Sequence, residues 1–147
     1  MTDITVTALV PAGDLHPGDP VWVTVTLVNP SPTPVRINKR MAVGYKDHLS
    51  REIFITLRDD AGNEITCSAP VDYDRNFSGP EDYVLLPPGR SLSTRFDLNA
   101  WHSLDRPGTY SLEAHYQADE PLARKPRDVV TGVFSSPPVP FTLTGPD

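Results

Sequence analysis

The chain has 147 residues, 38% of them hydrophobic and 22% charged, which indicates one globular domain over residues 1–147 rather than a disordered or membrane protein. The formal net charge of −6 argues against nucleic acid as a partner, because phosphate binding depends on concentrated Lys and Arg. There is also no run of about 18 apolar residues, which is what a membrane span needs.

Cys67 is the only cysteine, so the chain cannot form an internal disulfide, and this fits a reducing compartment. The opening residues, MTDITVTALVP, lack the basic and apolar regions of a secretion signal. We therefore expect a cytoplasmic protein. A secreted chain whose signal has been removed is the alternative.

Period-2 alternation of apolar and polar residues recurs along the whole chain, and it predicts strands that each bury one face. The segment VWVTVTLV, from Val21 to Val28, is the richest in β-branched residues and is expected to lie centrally in a sheet. The proline-flanked segment at 139–143 is expected at an edge. The predicted strands are residues 4–10, 21–28, 35–38, 52–58, 64–67, 82–86, 91–98, 109–117 and 139–143.

The chain contains 17 prolines, several of them in pairs or in the segment NPSPTP that begins at Asn29. Proline lacks an N–H and fixes φ, so these residues predict strand ends, sheet edges and loops rather than helices. Many short strands without helical spacers predict an all-β fold, an antiparallel immunoglobulin-like β-sandwich of eight or nine strands. A closed barrel is the alternative. Long connections are predicted at 39–50, 68–81 and 118–136.

The motifs of known active sites are absent from the sequence: there is no G-x-S-x-G, no phosphate-binding loop, and no zinc motif. Cys67 is expected to be a small packed residue. Asp59-Asp60 and the pair Asp72 and Asp74 are expected to form turns, because neither has the spaced oxygen ligands of a calcium site. We predict no catalytic, cofactor or metal site.

His115 falls between Ala114 and Tyr116, two residues predicted to face inward. It is therefore expected on the outer face of its strand, in contact with solvent.

The connection from Asp97 to Thr109 contains Trp101, His102 and Asp105, which could form the floor of a site or only a corner of the sandwich. The second interpretation is favoured. Tyr110 is placed to return its hydroxyl to nearby backbone as a tyrosine corner, and Trp101 and Leu104 are expected to cover the end of the core.

The segment YVLLPPGRSLS (Tyr83 to Ser93), followed by Asp97-Leu98, Gly108-x-Tyr110 and Tyr116, resembles the late half of a known β-sandwich family. These are the prodomains that precede deuterolysin-type and peptidyl-Lys zinc metallopeptidases, and free-standing bacterial domains have a similar layout. The resemblance covers residues 52–117. It implies an independently folding sandwich with a protein-binding surface, although Trp101 stands where the family tends to have tyrosine.

The leading hypothesis is a non-enzymatic module or adaptor that binds another protein through long loops or a sheet edge. The alternative is a cytosolic protease inhibitor or immunity-type protein. A carbohydrate-binding role would use Trp22 and Trp101, and an enzyme is the least favoured class. Aromatic and arginine residues are favoured at interfaces. The candidate partner-binding residues are Tyr73, Arg75, Phe77, Arg124, Lys125 and Arg127.

Replacing Trp101 tests the structural interpretation of the 97–109 connection. We expect Trp101→Ala to lower the free energy of unfolding by about 3 kcal/mol or more, as truncation of a buried large aromatic does. Chemical denaturation measures this change. Loss of partner binding with an unaltered melting temperature would instead assign Trp101 to a binding site.

Overall fold

The computed structural model describes residues 4–10, 15–39, 41, 52–65, 83–100, 104, 106–117 and 132–145. Within these ranges the regular structure consists of ten β-strands and one 3₁₀ turn at Leu98–Ala100, and the paired strands are antiparallel. The prediction of an all-β antiparallel fold is confirmed. The strands are β1 (Thr5–Leu9), β2 (Trp22–Val28), β3 (Val35–Asn38), β4 (Ile53–Arg58), β5 (Glu64–Ile65), β6 (Tyr83–Leu86), β7 (Ser91–Asp97), β8 (Gly108–Gln117), β9 (Val133–Ser135) and β10 (Val139–Leu143).

The strands form two larger sheets and one small one. The first sheet has the order β1-β2-β7, the second has the order β10-β8-β4-β5 with β9 also paired to β8, and β3 pairs with β6. Buried residues of all three sheets belong to one hydrophobic cluster, so the sheets share a common core. As predicted, β2 is central in its sheet and β10 lies at an edge.

Strands β2 and β8 show why the alternating sequence folds as it does. One face of each strand is apolar and buried, whereas the β2 residues that face the other way are partly or fully exposed. Burying an aliphatic or aromatic side chain of this size contributes about 1.5–3 kcal/mol, so the inward faces of these strands are a major source of stability. The predicted inward residues that the structure finds buried here are Val21, Val23, Val25, Leu27, Tyr110, Leu112, Ala114 and Tyr116.

A proline-rich corner separates the β2–β7 pair from the β3–β6 pair. The β2–β7 ladder ends at Val28↔Ser91, and the β3–β6 ladder begins at Val35↔Leu86. Between them, residues 29–34 lie opposite the shorter segment 87–90, and five prolines occupy these two segments. Proline fits here because the regular ladder, which needs its N–H, is already interrupted.

Asn29 supplies the hydrogen bonds that the corner would otherwise lack. Its backbone N–H donates to Arg90 O at 3.1 Å, and its carbonyl accepts from Gly89 N–H at 2.8 Å. The side-chain Nδ2 donates to the carbonyls of Thr33 and Leu86, both at 2.9 Å, while Oδ1 accepts from the Ser31 N–H. This fully buried amide thus uses both of its donors and its acceptor.

A second polar junction joins the segment before β2 to the segment after β7. The Asp97 carboxylate accepts from the N–H groups of Val21 and Asn99, both at 2.9 Å. The Asn99 side chain then donates to Asp19 O at 2.9 Å and accepts from Leu104 N–H at 3.0 Å. Leu104 is buried in the core as predicted, whereas Trp101, His102 and Asp105 lie outside the described residues.

Tyr110 forms the predicted tyrosine corner at the start of β8. Its hydroxyl donates to the carbonyl oxygen of Arg106 at 2.6 Å, and its ring stacks on Phe141 of the neighbouring strand with centroids 5.4 Å apart. The hydroxyl therefore ties the incoming loop to the strand, while the ring fills the core.

The residues Val133–Ser135 were predicted to be part of a long connection, and this prediction is wrong. They form β9, which pairs with the last residues of β8 and continues the line of β10 along the same edge. Ser136 lies between the two strands and donates its N–H to Ala114 O at 2.8 Å, while its hydroxyl accepts from Ala114 N–H at 2.9 Å. A side-chain oxygen thus replaces a backbone carbonyl where Pro137 and Pro138 interrupt the strand.

Replacing Asn29 by aspartate tests the corner, because it keeps the size of the side chain but removes both Nδ2 donors. A carboxylate oxygen would then face two carbonyl oxygens in a buried site, and we expect a loss of about 3 kcal/mol or more in unfolding free energy. Chemical denaturation measures the change. Asn63→Asp, at an exposed position in the β4–β5 turn, is the matched control and should change stability by less than about 0.5 kcal/mol. Equal effects of the two substitutions would contradict the role of Asn29.

Candidate functional site

None of the six predicted partner-binding residues is among the residues that the structure describes. Tyr73, Arg75, Phe77, Arg124, Lys125 and Arg127 all lie outside the described residues, as does Cys67. Their assignment stays a prediction. A different surface, which the sequence analysis did not select, is present among the described residues.

The outer face of the β1-β2-β7 sheet is called here the Trp22 face. Many of its side chains are threonine and serine, so it is rich in hydroxyl groups. One cross-strand row consists of Thr7, Thr26 and Ser93, in which Thr26 Oγ1 and Ser93 Oγ are 2.8 Å apart, and the next row places Thr5 and Ser91 on either side of Val28. Leu9 and Trp22 add exposed apolar surface at one end of this face. The face comprises Thr5, Thr7, Leu9, Trp22, Thr24, Thr26, Val28, Ser91, Ser93, Arg95 and Asp97.

Trp22 and Arg95 form a pair on this face. Trp22 is 41% exposed, in agreement with its predicted outward orientation, and the guanidinium carbon of Arg95 lies 4.5 Å from the centre of its ring. This is a cation–π contact, in which the indole face attracts the positive charge. The pair therefore places an oriented cation beside a large exposed aromatic ring.

The free side of β7 carries a row of outward-facing backbone groups. Leu98 N–H donates to Val21 O at 2.8 Å, and Asn29 N–H donates to Arg90 O at 3.1 Å. Both bonds lie in the β2–β7 register, so the residues of β7 that hydrogen-bond to β2 are the even-numbered ones. The backbone groups of Ser91, Ser93, Arg95 and Asp97 consequently point away from β2. These four residues are called here the β7 edge, and within the described ranges no strand pairs with it.

The other borders of the two larger sheets differ from the β7 edge. The β9–β10 border is interrupted at Ser136 and contains Pro137, Pro138 and Pro140, while β5 has only two residues. Strand β1 lies close to β8 and β9 of the opposite sheet. Charges, prolines, bulges and short strands are common protections against unwanted strand pairing. The seven residues of β7 keep a continuous register without proline or a bulge, and of these protections they carry only charges, at Arg95 and Asp97.

His115 corrects one of the sequence predictions. It lies on the predicted outer face of β8 but is only 8% exposed, so the expectation of a solvated side chain is wrong. Its ring stacks on Phe54 with centroids 4.4 Å apart, and Phe54 is also buried although it lies outside the main core cluster. The alternating pattern identified the face correctly, but it could not show that this face is covered.

Both ring nitrogens of His115 have hydroxyl partners. Nε2 is 2.8 Å from Thr56 Oγ1 on β4, and Nδ1 is 2.7 Å from Ser135 Oγ on β9. The imidazole therefore joins three neighbouring strands through its side chain, and both nitrogens are engaged within the fold. This arrangement favours a structural role for His115.

Asp59 also has a structural role. Its Oδ1 accepts from the N–H groups of Ala61 and Asn63 at 3.0 and 2.9 Å, which confirms the predicted turn between β4 and β5. Asp72 and Asp74 lie outside the described residues. Within the part of the chain that the structure describes, no group of three or more His, Cys, Asp or Glu residues is arranged to hold a metal ion.

Comparison of the sequence with protein-family models finds no matching family, and comparison with curated proteins finds no match. The resemblance to metallopeptidase prodomains therefore depends on the residues quoted for it. Among the described residues, no helix has the length and hydropathy needed to cross a membrane.

Proline substitutions on β7 test which backbone groups face outward. Ser93→Pro removes an N–H of the β7 edge, so we expect a folded protein that is about 1 kcal/mol less stable than Ser93→Ala, which loses the same hydroxyl. Thr94→Pro removes an N–H that donates to β2, so we expect it to lower the free energy of unfolding by about 3 kcal/mol or more. Chemical denaturation of the three variants measures the difference. Equal destabilisation by the two prolines would show that the β7 orientation is wrong.

Proposed function

We propose that this protein is a non-enzymatic binding module that receives an extended segment of another protein along the β7 edge. The supporting observation is a regular seven-residue edge strand whose outward backbone groups at Ser91, Ser93, Arg95 and Asp97 have no strand partner among the described residues. An adaptor role and a cytoplasmic location are part of the proposal. The single cysteine supports this location.

An extended polypeptide is the occupant whose chemistry matches this edge. Only another strand presents N–H and C=O groups at the spacing of the β7 backbone, and adding a strand to a sheet edge is a recurrent mode of peptide recognition. Main-chain hydrogen bonds would supply affinity, and the outer side chains would supply specificity.

A second copy of the chain is a less favourable occupant. Each copy carries a formal net charge of −6, so two copies repel one another at long range. Carbohydrate is also less favourable, because the Arg95 guanidinium already lies over the Trp22 ring on which a sugar could stack. An inhibitor would use the same edge and would differ only in the effect on the partner's activity.

The proposal includes immunoglobulin-like connectivity. In that arrangement the first, second, fifth and fourth strands form one sheet in that order, and the third, sixth and seventh form the other; among the described residues no counterpart of the fourth strand pairs with β7. The orders β1-β2-β7 and β10-β8-β4 are consistent with this division if β3, β5, β6 and β9 are additions to it. This correspondence supports the architecture and carries no information about the partner.

Selection of linear peptides from a random displayed library tests the proposal. The full chain is the target, and the selected peptides are measured by calorimetry against wild type, Ser93→Ala and Ser93→Pro. We expect Ser93→Ala to bind within about twofold of wild type, because it keeps the backbone N–H. Ser93→Pro should weaken binding at least tenfold, since it removes a main-chain donor and blocks the edge, a loss of about 1.4 kcal/mol or more.

Amide exchange of the complex supplies an independent measurement. Exchange at Ser91, Ser93 and Arg95 should slow when the peptide binds, because their N–H groups become hydrogen-bonded. Failure to select any peptide, or peptides that bind Ser93→Pro as well as wild type, would overturn the proposal. Dimerisation that Ser93→Pro abolishes would assign the edge to a second copy and would also overturn it.

A further inference from the structure

We propose that the Trp22–Arg95 pair is a carboxylate-binding site, and that the segment bound at the β7 edge carries Asp or Glu opposite Arg95. This inference rests on the proposed function and adds to it the chemical class of the partner. It depends on three observations: the orientation of Arg95, its lack of a carboxylate partner, and its position in the edge strand.

The contact with Trp22 orients the Arg95 guanidinium before any ligand binds. The guanidinium carbon lies 4.5 Å from the ring centre, while the residue as a whole remains exposed. A guanidinium group that lies over an aromatic face can still direct N–H groups at its rim toward a carboxylate. Trp22 belongs to β2, so the guanidinium lies over the Trp22 face on the β2 side of β7, and a carboxylate on an added strand has to extend over β7 to meet it.

Arg95 is not paired with an acid in the described structure. No carboxylate of the described residues lies within salt-bridge distance of it, whereas Arg58 and Glu113 on the other sheet are 3.5 Å apart. The nearest acid in sequence on the same face is Asp97, whose Oδ1 already accepts two backbone N–H groups. On a chain with a net charge of −6, Arg95 is thus a cation available to an external anion.

The position of Arg95 in β7 determines which residue of the bound segment would be the acid. Arg95 belongs to the β7 edge, so its backbone would form a hydrogen-bonded pair with one residue of an antiparallel partner strand. Side chains of directly opposed residues lie on the same face, about 4.5–5.5 Å apart at Cβ. Because the guanidinium lies toward β2, Glu, which is one methylene longer than Asp, is better placed to meet it, and Lys or Arg would be repelled by it.

The test uses the peptides selected on the full chain. We expect Asp or Glu to be enriched at one position, and replacement of that residue by its amide to weaken binding about five- to tenfold. Arg95→Gln should weaken binding of the acidic peptide by a similar factor but should leave the affinity for the amide peptide nearly unchanged. Arg95→Lys, which keeps the charge but loses the planar fork, should lie between wild type and Arg95→Gln.

Arg90→Gln is the matched control, because it removes the same charge at an exposed position just before β7. We expect it to change the affinity for the acidic peptide by less than twofold. Trp22→Leu should weaken the acidic peptide more than the amide peptide, since it removes the ring that orients Arg95. Thermal unfolding of each variant verifies that it remains folded under the binding conditions.

The outcomes separate this inference from the proposed function. Peptides that lose affinity in Ser93→Pro but have no preferred acid, or that bind Arg95→Gln as well as wild type, would overturn the carboxylate site and leave strand addition standing. If Arg90→Gln and Arg95→Gln weakened binding of the acidic peptide equally, the effect would come from the net charge and not from a site at Arg95. That result would also overturn the inference. If no peptide binds the edge at all, both proposals fail.

Discussion

The architecture depends on satisfying the buried backbone groups where the β2–β7 ladder ends. An N–H or C=O without a partner in the interior costs about as much as a lost hydrogen bond or more, so a corner inside a β-protein needs a substitute for the ladder. Asn29 provides it with five hydrogen bonds through its backbone and side chain. This residue also ends the β2–β7 ladder, because its N–H donates to Arg90 O in the same register.

Proline is concentrated at the corner and at the β9–β10 border and is absent from β7. Pairs of prolines lie in the corner beside β6 and between β9 and β10, where backbone N–H groups are not needed for the ladder. The β7 strand follows the Pro87–Arg90 turn, in which Arg90 N–H donates to Pro87 O and Gly89 adopts a φ of 75°. Gly89 suits this turn because a side chain would be strained at that φ. The chain thus leaves the proline-rich corner and enters a strand with an uninterrupted border.

Much of the fold could be predicted from the sequence, because period-2 alternation determines which residues of a strand are buried. The hydrogen bond of the Tyr110 hydroxyl to backbone could be predicted because a tyrosine corner joins residues that are close in sequence, here Tyr110 and Arg106. Strand β9 was missed because its three residues are too few for alternation of apolar and polar residues to identify a strand. The burial of His115 was missed because covering the outer face of a sheet is a tertiary property.

The candidate site could be predicted only in part. The outward orientation of Trp22 follows from alternation, but its contact with Arg95 requires that β2 and β7 be neighbours. Alternation of apolar and polar residues does not indicate which strands are neighbours, so the sequence could not show that β7 lies at the edge of a sheet. The signal that was available is the run SLSTRFD, which has hydroxyl and charged residues at alternate positions and no proline.

The interrupted border formed by β9 and β10 has a consequence for the mechanics of the molecule. A single long strand would resist being peeled from β8 as one unit, whereas this border consists of two short ladders separated at Ser136. Local opening energies differ between such segments, so the border can detach in stages. The hydrogen bond between His115 and Ser135 holds β9 to β8 through a side chain. Because the His115 ring also stacks on Phe54, detachment of β9 is coupled to the packing of Phe54.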